Sequence, residues 1–106
     1  MMGRPVREPR TGRPIRAAFD LLGQRWTLRI LWELREGPIG FRALRGAADA
    51  LSPTLLNSRL KELAQARLVS GGEEGYALTA LGRSLLAALA PLHDWARGWQ
   101  DALESE

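Results

Sequence analysis

Two short apolar runs, Leu68-Val69 and Tyr76-Ala77-Leu78, enclose the hexapeptide Ser70-Gly71-Gly72-Glu73-Glu74-Gly75. Apolar runs on either side of a glycine-rich turn predict a small β-hairpin. The rest of the patterned chain repeats its apolar residues at helical spacing, so the strands are confined to this one place. With 106 residues, 45% hydrophobic and 25% charged, the chain has material for one globular domain with a modest core. The expected class is therefore mainly α with a small hairpin.

The helices can be placed by their start and stop signals. Pro14 suits the first turn of a short helix to about Leu22, with Ile15, Ala18, Phe19 and Leu22 at helical spacing and Gly23 as its end. Residues 25–36 predict a second helix, stopped by Gly37-Pro38. Its Trp26, Ile30 and Leu34 make one stripe, while Leu28 and Trp32 lie nearly opposite, so this helix is expected to be covered on two sides. Residues 40–47 predict a third, with Phe41 and Leu44 inward and Arg42 and Arg45 outward. Ser52-Pro53 opens a fourth, with serine as N-cap and proline in the first turn. Thr79 starts a long C-terminal helix whose Leu81, Leu85, Ala88, Leu92, Trp95, Trp99 and Ala102 follow a heptad rhythm. Pro91 falls inside that helix and should kink or break it. Helices followed by a hairpin in this order are the layout of a winged helix.

Charge is unevenly spread. Residues 1–45 hold ten arginines against four acids, residues 46–92 hold four of each sign, and residues 93–106 hold Arg97 against four acids. A basic half opposite an acidic tail predicts a polyanion partner on one side, although a solvated surface rich in arginine fits the same count. Residues 1–13 read as a flexible arm ahead of a domain spanning 14–106. Pro5, Pro9, Gly3 and Gly12 discourage helix there. Arg4, Arg7, Arg10 and Arg13 recur every third residue, which lines them up on an extended chain that could follow phosphates or enter a minor groove. A frayed terminus fits those residues equally.

The fourth helix carries the chemistry. Leu56, Leu60 and Leu63 face the core, and Thr54, Asn57, Ser58 and Lys61 gather on the opposite face. Hydroxyl and amide groups both donate and accept, so they suit base edges and phosphates. The serine-capped N-terminus also directs a positive dipole end at an anion. The plainer reading is a polar solvent face.

The stretch from Pro14 to Trp95 resembles the HxlR-type family of winged-helix transcriptional regulators, relatives of the MarR group. The matching pieces are PIRAAFDLLGQRWTLRILWEL, GPIGFRAL, LSPTLLNSRLKELAQARLV, YALTALGRSLL and Trp95, in the family's order. The resemblance implies a homodimer that binds double-stranded DNA sequence-specifically, reading an inverted repeat. It places the recognition helix at about Ser52–Ala66, with Ser52, Thr54, Asn57, Ser58 and Lys61 facing DNA. Arg59 matches a family arginine that touches phosphate or pairs with an acid inside the domain, and Arg42 and Arg45 would lie near the DNA backbone. The first and last helices would form the dimer, through Phe19, Leu85, Leu92, Trp95 and Trp99.

Three departures from the family pattern bear on mechanism. The place of the family's common cysteine is Arg13, and the chain contains no cysteine, which excludes thiol sensing. The wing is short, and Glu73 and Glu74 would be repelled by phosphates, so the arginine arm is a candidate to replace it. Pro91 comes later than the family's proline in the long helix.

Trp26, Trp32, Trp95 and Trp99 suggest a pocket for a small apolar or aromatic effector; packing in core and interface is the other reading. No cofactor or metal is expected, and no membrane partner, since there is no long uncharged apolar stretch. Nor is there an apolar run behind the first arginines to make a secretory signal. The expected place is the cytoplasm, at the nucleoid. Catalysis is not expected. His93-Asp94 is the one histidine–acid neighbour pair, and adjacent helical residues point about 100° apart. The function expected is DNA-binding regulation. The alternative is a winged-helix dimer for protein contact with DNA binding reduced or lost, and a third class, a ligand-binding module, rests on the tryptophans alone.

Overall fold

The computed structural model describes residues 13–105. Five helices and one hairpin follow in the order α1 (Pro14–Leu22), α2 (Thr27–Glu33), α3 (Phe41–Ala47), α4 (Pro53–Gln65), β1 (Val69–Gly72), β2 (Gly75–Leu78) and α5 (Ala80–Glu104). This is the mainly helical winged-helix layout that the sequence predicts.

Helix α2 is shorter than the predicted 25–36. Trp26, immediately before it, has φ 76°, a left-handed conformation through which an α-helix cannot be extended backwards. At the other end, Leu34 N–H donates to Leu31 and Arg35 N–H to Trp32, so the last turn tightens to three-residue bonds. Ile30, Leu31 and Leu34 of this segment are fully buried, together with Leu44 of α3 and Leu56 and Leu63 of α4. These residues form the core on which the helix-turn-helix rests. Truncating any one of them to alanine would cost about 2–5 kcal/mol.

Helix α1 turns Ala17 and Leu21 into the body and leaves Ile15 and Phe19 outside. The predicted stripe of Ile15, Ala18, Phe19 and Leu22 is thus not the buried face: Ala18 and Leu22 are half-buried at its edge, and Ile15 and Phe19 lie outside. Helix α5 begins where Thr79 Oγ1 accepts from Gly82 N–H at 3.0 Å and donates to the Arg67 carbonyl at 2.7 Å. Gly82 is buried there, and a Cβ would run into the carbonyl oxygen of Leu68. The start of α5 can therefore seat itself against the strand entry only with glycine at this position.

Pro91 does not break α5, which runs unbroken to Glu104. The proline removes one N–H that would have reached the Ala87 carbonyl. Ala87 is exposed, so water can satisfy the oxygen that the proline leaves unbonded. From Pro91 onward every described residue of α5 is exposed, and His93, whose ring lies 5.6 Å from that of Trp32, is where this half of the helix meets α2.

The hairpin pairs Val69 with Leu78 through Gly72 with Gly75, leaving Glu73-Glu74 as a two-residue turn. Ile39, in the connection before α3, exchanges both backbone bonds with Tyr76, at 2.9 and 2.8 Å. Gly75 has φ 112°, and a Cβ there would meet the Ile39 carbonyl. The wing is thereby clasped to the body along one edge. Among the described residues no helix is long and apolar enough to cross a membrane, and no group of His, Asp or Glu could hold a metal ion.

Candidate nucleic-acid interface

Helix α4 is set in place from both sides of its entry. Ser52 Oγ accepts from Leu55 N–H at 3.1 Å, and Pro53 occupies the first helical position, as the sequence predicts. Leu56, Leu60 and Leu63 hold the inner face. Thr54, Asn57 and Lys61 are exposed and Ser58 is half-buried. Spacings of three, four and seven residues put these four side chains on one outward stripe. Asn57 and Lys61 have no hydrogen-bond or ion-pair partner among the described residues, so their donors and acceptors are available to a ligand.

Arg59 is not on that stripe. Its Nε donates to the Arg25 carbonyl at 2.8 Å, and Nη1 lies 3.3 Å from Glu62. Its side chain is only 14% exposed. Of the two roles the family resemblance offers, the domain uses the internal one. Arg42 is exposed on α3 without a described partner. Arg45, expected to point outward, is half-buried because its Nε donates to the Leu51 carbonyl at 2.6 Å. It fastens the turn that leads into α4.

Arg29 is a contributor that sequence reasoning missed. From α2 it donates to the Ala47 carbonyl at 2.7 Å, to Glu33 at 2.9 Å and to Asp49 at 3.2 Å. The Glu33 bond chiefly raises the pKa of this guanidinium above its ordinary value; partial desolvation opposes the shift and Asp49 reinforces it. The spacing to Glu33 is visible in the sequence, but the bonds to the turn bridge 18 and 20 residues.

The wing presents Glu73 and Glu74 at its exposed tip. Of the arm, Arg4, Arg7 and Arg10 lie outside the described residues. Arg13 is exposed and supplies the first carbonyl of α1, accepting from Arg16 and Ala17 N–H.

The four tryptophans do not meet in one pocket. Trp26 packs against the core, and Trp95 and Trp99 stack on each other at 5.4 Å on the exposed half of α5. Trp32 alone lines a groove of about 690 Å³ between α2 and α5, with Leu28, Leu86, Leu89, Leu92 and His93 among its other walls. The His93 ring lies 5.6 Å from Trp32, and the Arg35 guanidinium sits 4.1 Å over the same indole. Of the residues expected at a dimer face, Leu85 is half-buried against the core. Phe19, Leu92, Trp95 and Trp99 are 66%, 50%, 60% and 54% exposed. Large apolar side chains this open, in two elements, are unusual for a monomer's surface.

The geometry agrees with comparison to known proteins. Residues 21–104 match the HxlR-like helix-turn-helix family model. YodB of Bacillus subtilis, an HTH-type transcriptional regulator, is 33% identical over 87 residues, covering 76% of this chain and 78% of that protein. An HTH-type transcriptional regulator of Methanocaldococcus jannaschii, MJ0925, is 30% identical over 88 residues, covering 79% and 83%. The crystal structure of quinone-bound YodB superposes with a TM-score of 0.75 over 82% of this chain and 98% of that one. A MarR-family structure from Enterococcus faecalis, 24% identical with a TM-score of 0.75 over 99% and 100%, shares the fold. Family and relatives are transcriptional regulators rather than enzymes. An outward polar stripe on a capped helix, a clasped wing and a match across most of the chain place this protein in the HxlR-like helix-turn-helix family of transcriptional regulators.

Proposed function

We propose that the protein acts as a homodimer that reads an inverted-repeat operator, with α4 of each copy in the major groove. The observation that carries this reading is the stripe Thr54, Asn57, Ser58 and Lys61, whose amide and ammonium groups are left unpartnered by the domain itself. The open apolar surface on α1 and the distal half of α5 supports dimerisation, which would set two recognition helices roughly 34 Å apart. Arg42, and the arginines of the arm, would supply salt-dependent attraction to phosphates. The work is done at the nucleoid, in the cytoplasm.

Polarisation of labelled genomic fragments, titrated with protein at two salt concentrations, tests the reading. Saturable binding that prefers one palindromic fragment and weakens steeply with salt is the expected result. Uniform weak binding, or none, would overturn it in favour of a dimer that contacts other proteins, the reading that the exposed Glu73-Glu74 tip favours.

The groove between α2 and α5 supports a planar, apolar aromatic effector. Its volume falls within the usual range of small-molecule pockets, and its walls are mostly apolar, with the His93 imidazole and the Asp94 carboxylate as the polar groups. The related YodB has been crystallised with quinone bound. Without a cysteine, this chain would bind such a compound reversibly. Saturable quenching of tryptophan fluorescence by 1,4-naphthoquinone, lost in Trp32→Leu and reversed by dialysis, is expected; no quenching, or quenching unchanged in Trp32→Leu, would count against the groove.

A further inference from the structure

The turn between α3 and α4 is held in an unusual shape. Asp49 and Ala50 both adopt left-handed backbone, with φ of 60° and 58°. A left-handed alanine has no side-chain bond of its own to favour that conformation, and two such residues in succession need support from outside. The support comes from two arginines. Arg45 accepts the Ala50 N–H at its carbonyl, 2.9 Å, and donates from Nε to the Leu51 carbonyl, closing the turn locally. Arg29 reaches across from α2. It binds the carbonyl of Ala47, the last residue of α3, and the carboxylate of Asp49, the first left-handed residue. Its Nε is fixed meanwhile by Glu33 on its own helix.

We infer that Arg29 is a positioning residue for DNA recognition: it fixes the orientation of α4 relative to α2 and so sets sequence preference without touching DNA. The inference rests on reading α4 as the element that enters the major groove. Three acceptors in three directions demand the planar fork of arginine; a lysine ammonium at this place could satisfy only part of the set. Ser52 follows the turn within two residues of Ala50, so any rotation of the turn carries the outward stripe with it. Base contacts need well-aligned donors and acceptors, whereas phosphate attraction tolerates small displacements. Loss of the fork should therefore reduce discrimination more than general affinity. Arg29 also sits next to Leu28 and one turn before Trp32, which line the α2–α5 groove. A shift of α2 caused by filling that groove would reach α4 by this route.

The test compares Arg29→Met with the parent chain. Binding to the preferred fragment should fall about tenfold, while binding to unrelated DNA and its salt dependence stay within about twofold. Ala50→Gly in the Arg29→Met background should restore most of the preference, because glycine holds the left-handed turn without the clamp. An unchanged ratio of specific to unrelated binding in Arg29→Met, or an equal fall in both, would overturn the inference. Should Arg29→Met not fold, Asp49→Asn removes the charge of the exposed acceptor while keeping a residue that tolerates the left-handed backbone, and should shift the same ratio in the same direction. A second readout stands apart from DNA. Amide exchange at Ala50 and Leu51 should quicken in Arg29→Met, and unchanged exchange there would overturn the positioning role even if the parent chain prefers no fragment at all.

Discussion

Replacing Asn57 and Lys61 together by alanine is expected to abolish discrimination between an operator and unrelated DNA. A good bidentate base contact contributes about 1–3 kcal/mol of discrimination. In a homodimer each substitution strikes both half-sites, so one such residue accounts for about 2–6 kcal/mol, much of the usual gap between specific and non-specific binding. Both side chains are exposed and unpartnered, so their loss should leave the fold intact within about 0.5 kcal/mol. The contrast between intact thermal unfolding and lost preference is the signature to look for. If the double variant binds the preferred fragment as tightly as its parent, α4 is not the reading element.

The second large effect belongs to Trp95 and Trp99. Glutamate at both positions should turn the proposed dimer into monomers, seen by analytical ultracentrifugation. More than half of each residue's surface stands open in the single chain. Covering about 100 Å² of a large aromatic contributes about 2–3 kcal/mol, and a dimer holds two copies of each ring. Removing them, and introducing acids beside Asp94 and Asp101, should weaken association at least about a thousandfold. The monomer should keep its helical content, because Trp95 and Trp99 are exposed and stack on each other rather than on the core. A dimer that survives this change would place the interface elsewhere.

How legible was all this in the sequence? Where the deciding interaction is local, the residues announce it. Ser52 and Pro53 fix the start of α4 because cap and first turn are adjacent in the chain, and Thr79 does the same for α5. The hairpin follows from the glycine-rich stretch between two apolar runs, although the strands run on through Gly72 and Gly75, which were expected in the turn, and leave Glu73-Glu74 alone between them. Where the deciding interaction is distant, the pattern misleads. Apolar spacing carried α2 back to residue 25, yet the left-handed backbone at Trp26 ends it two residues later. Periodicity also cannot say what covers a face, so Ile15 and Phe19 read like Leu22 although they are exposed and Leu22 packs against the core. The four tryptophans suggested one cluster because composition has no geometry; three different surroundings receive them. Arg45 looked like an outward charge, but its acceptor is a backbone carbonyl, which no side-chain pattern reveals. Pro91 was expected to kink or break its helix; it does not break it, because solvent access at Ala87 makes the missing bond tolerable.

The backbone clasp between Ile39 and Tyr76 bears on how the molecule is made. Its two halves lie on either side of the whole helix-turn-helix, so α3 and α4 are synthesised while Ile39 still has no partner. Ribosomes extend the chain from the N-terminus, and the strand that completes the clasp emerges only after α4 is finished. Local helical contacts form early and long-range strand pairing late, since the loop between must first be closed. Helix α4 therefore exists before the frame that fixes it. A nascent chain halted before Tyr76 would display α4 unclamped at its wing edge, and the proposed competence to read DNA would arrive only once Tyr76 has left the ribosome.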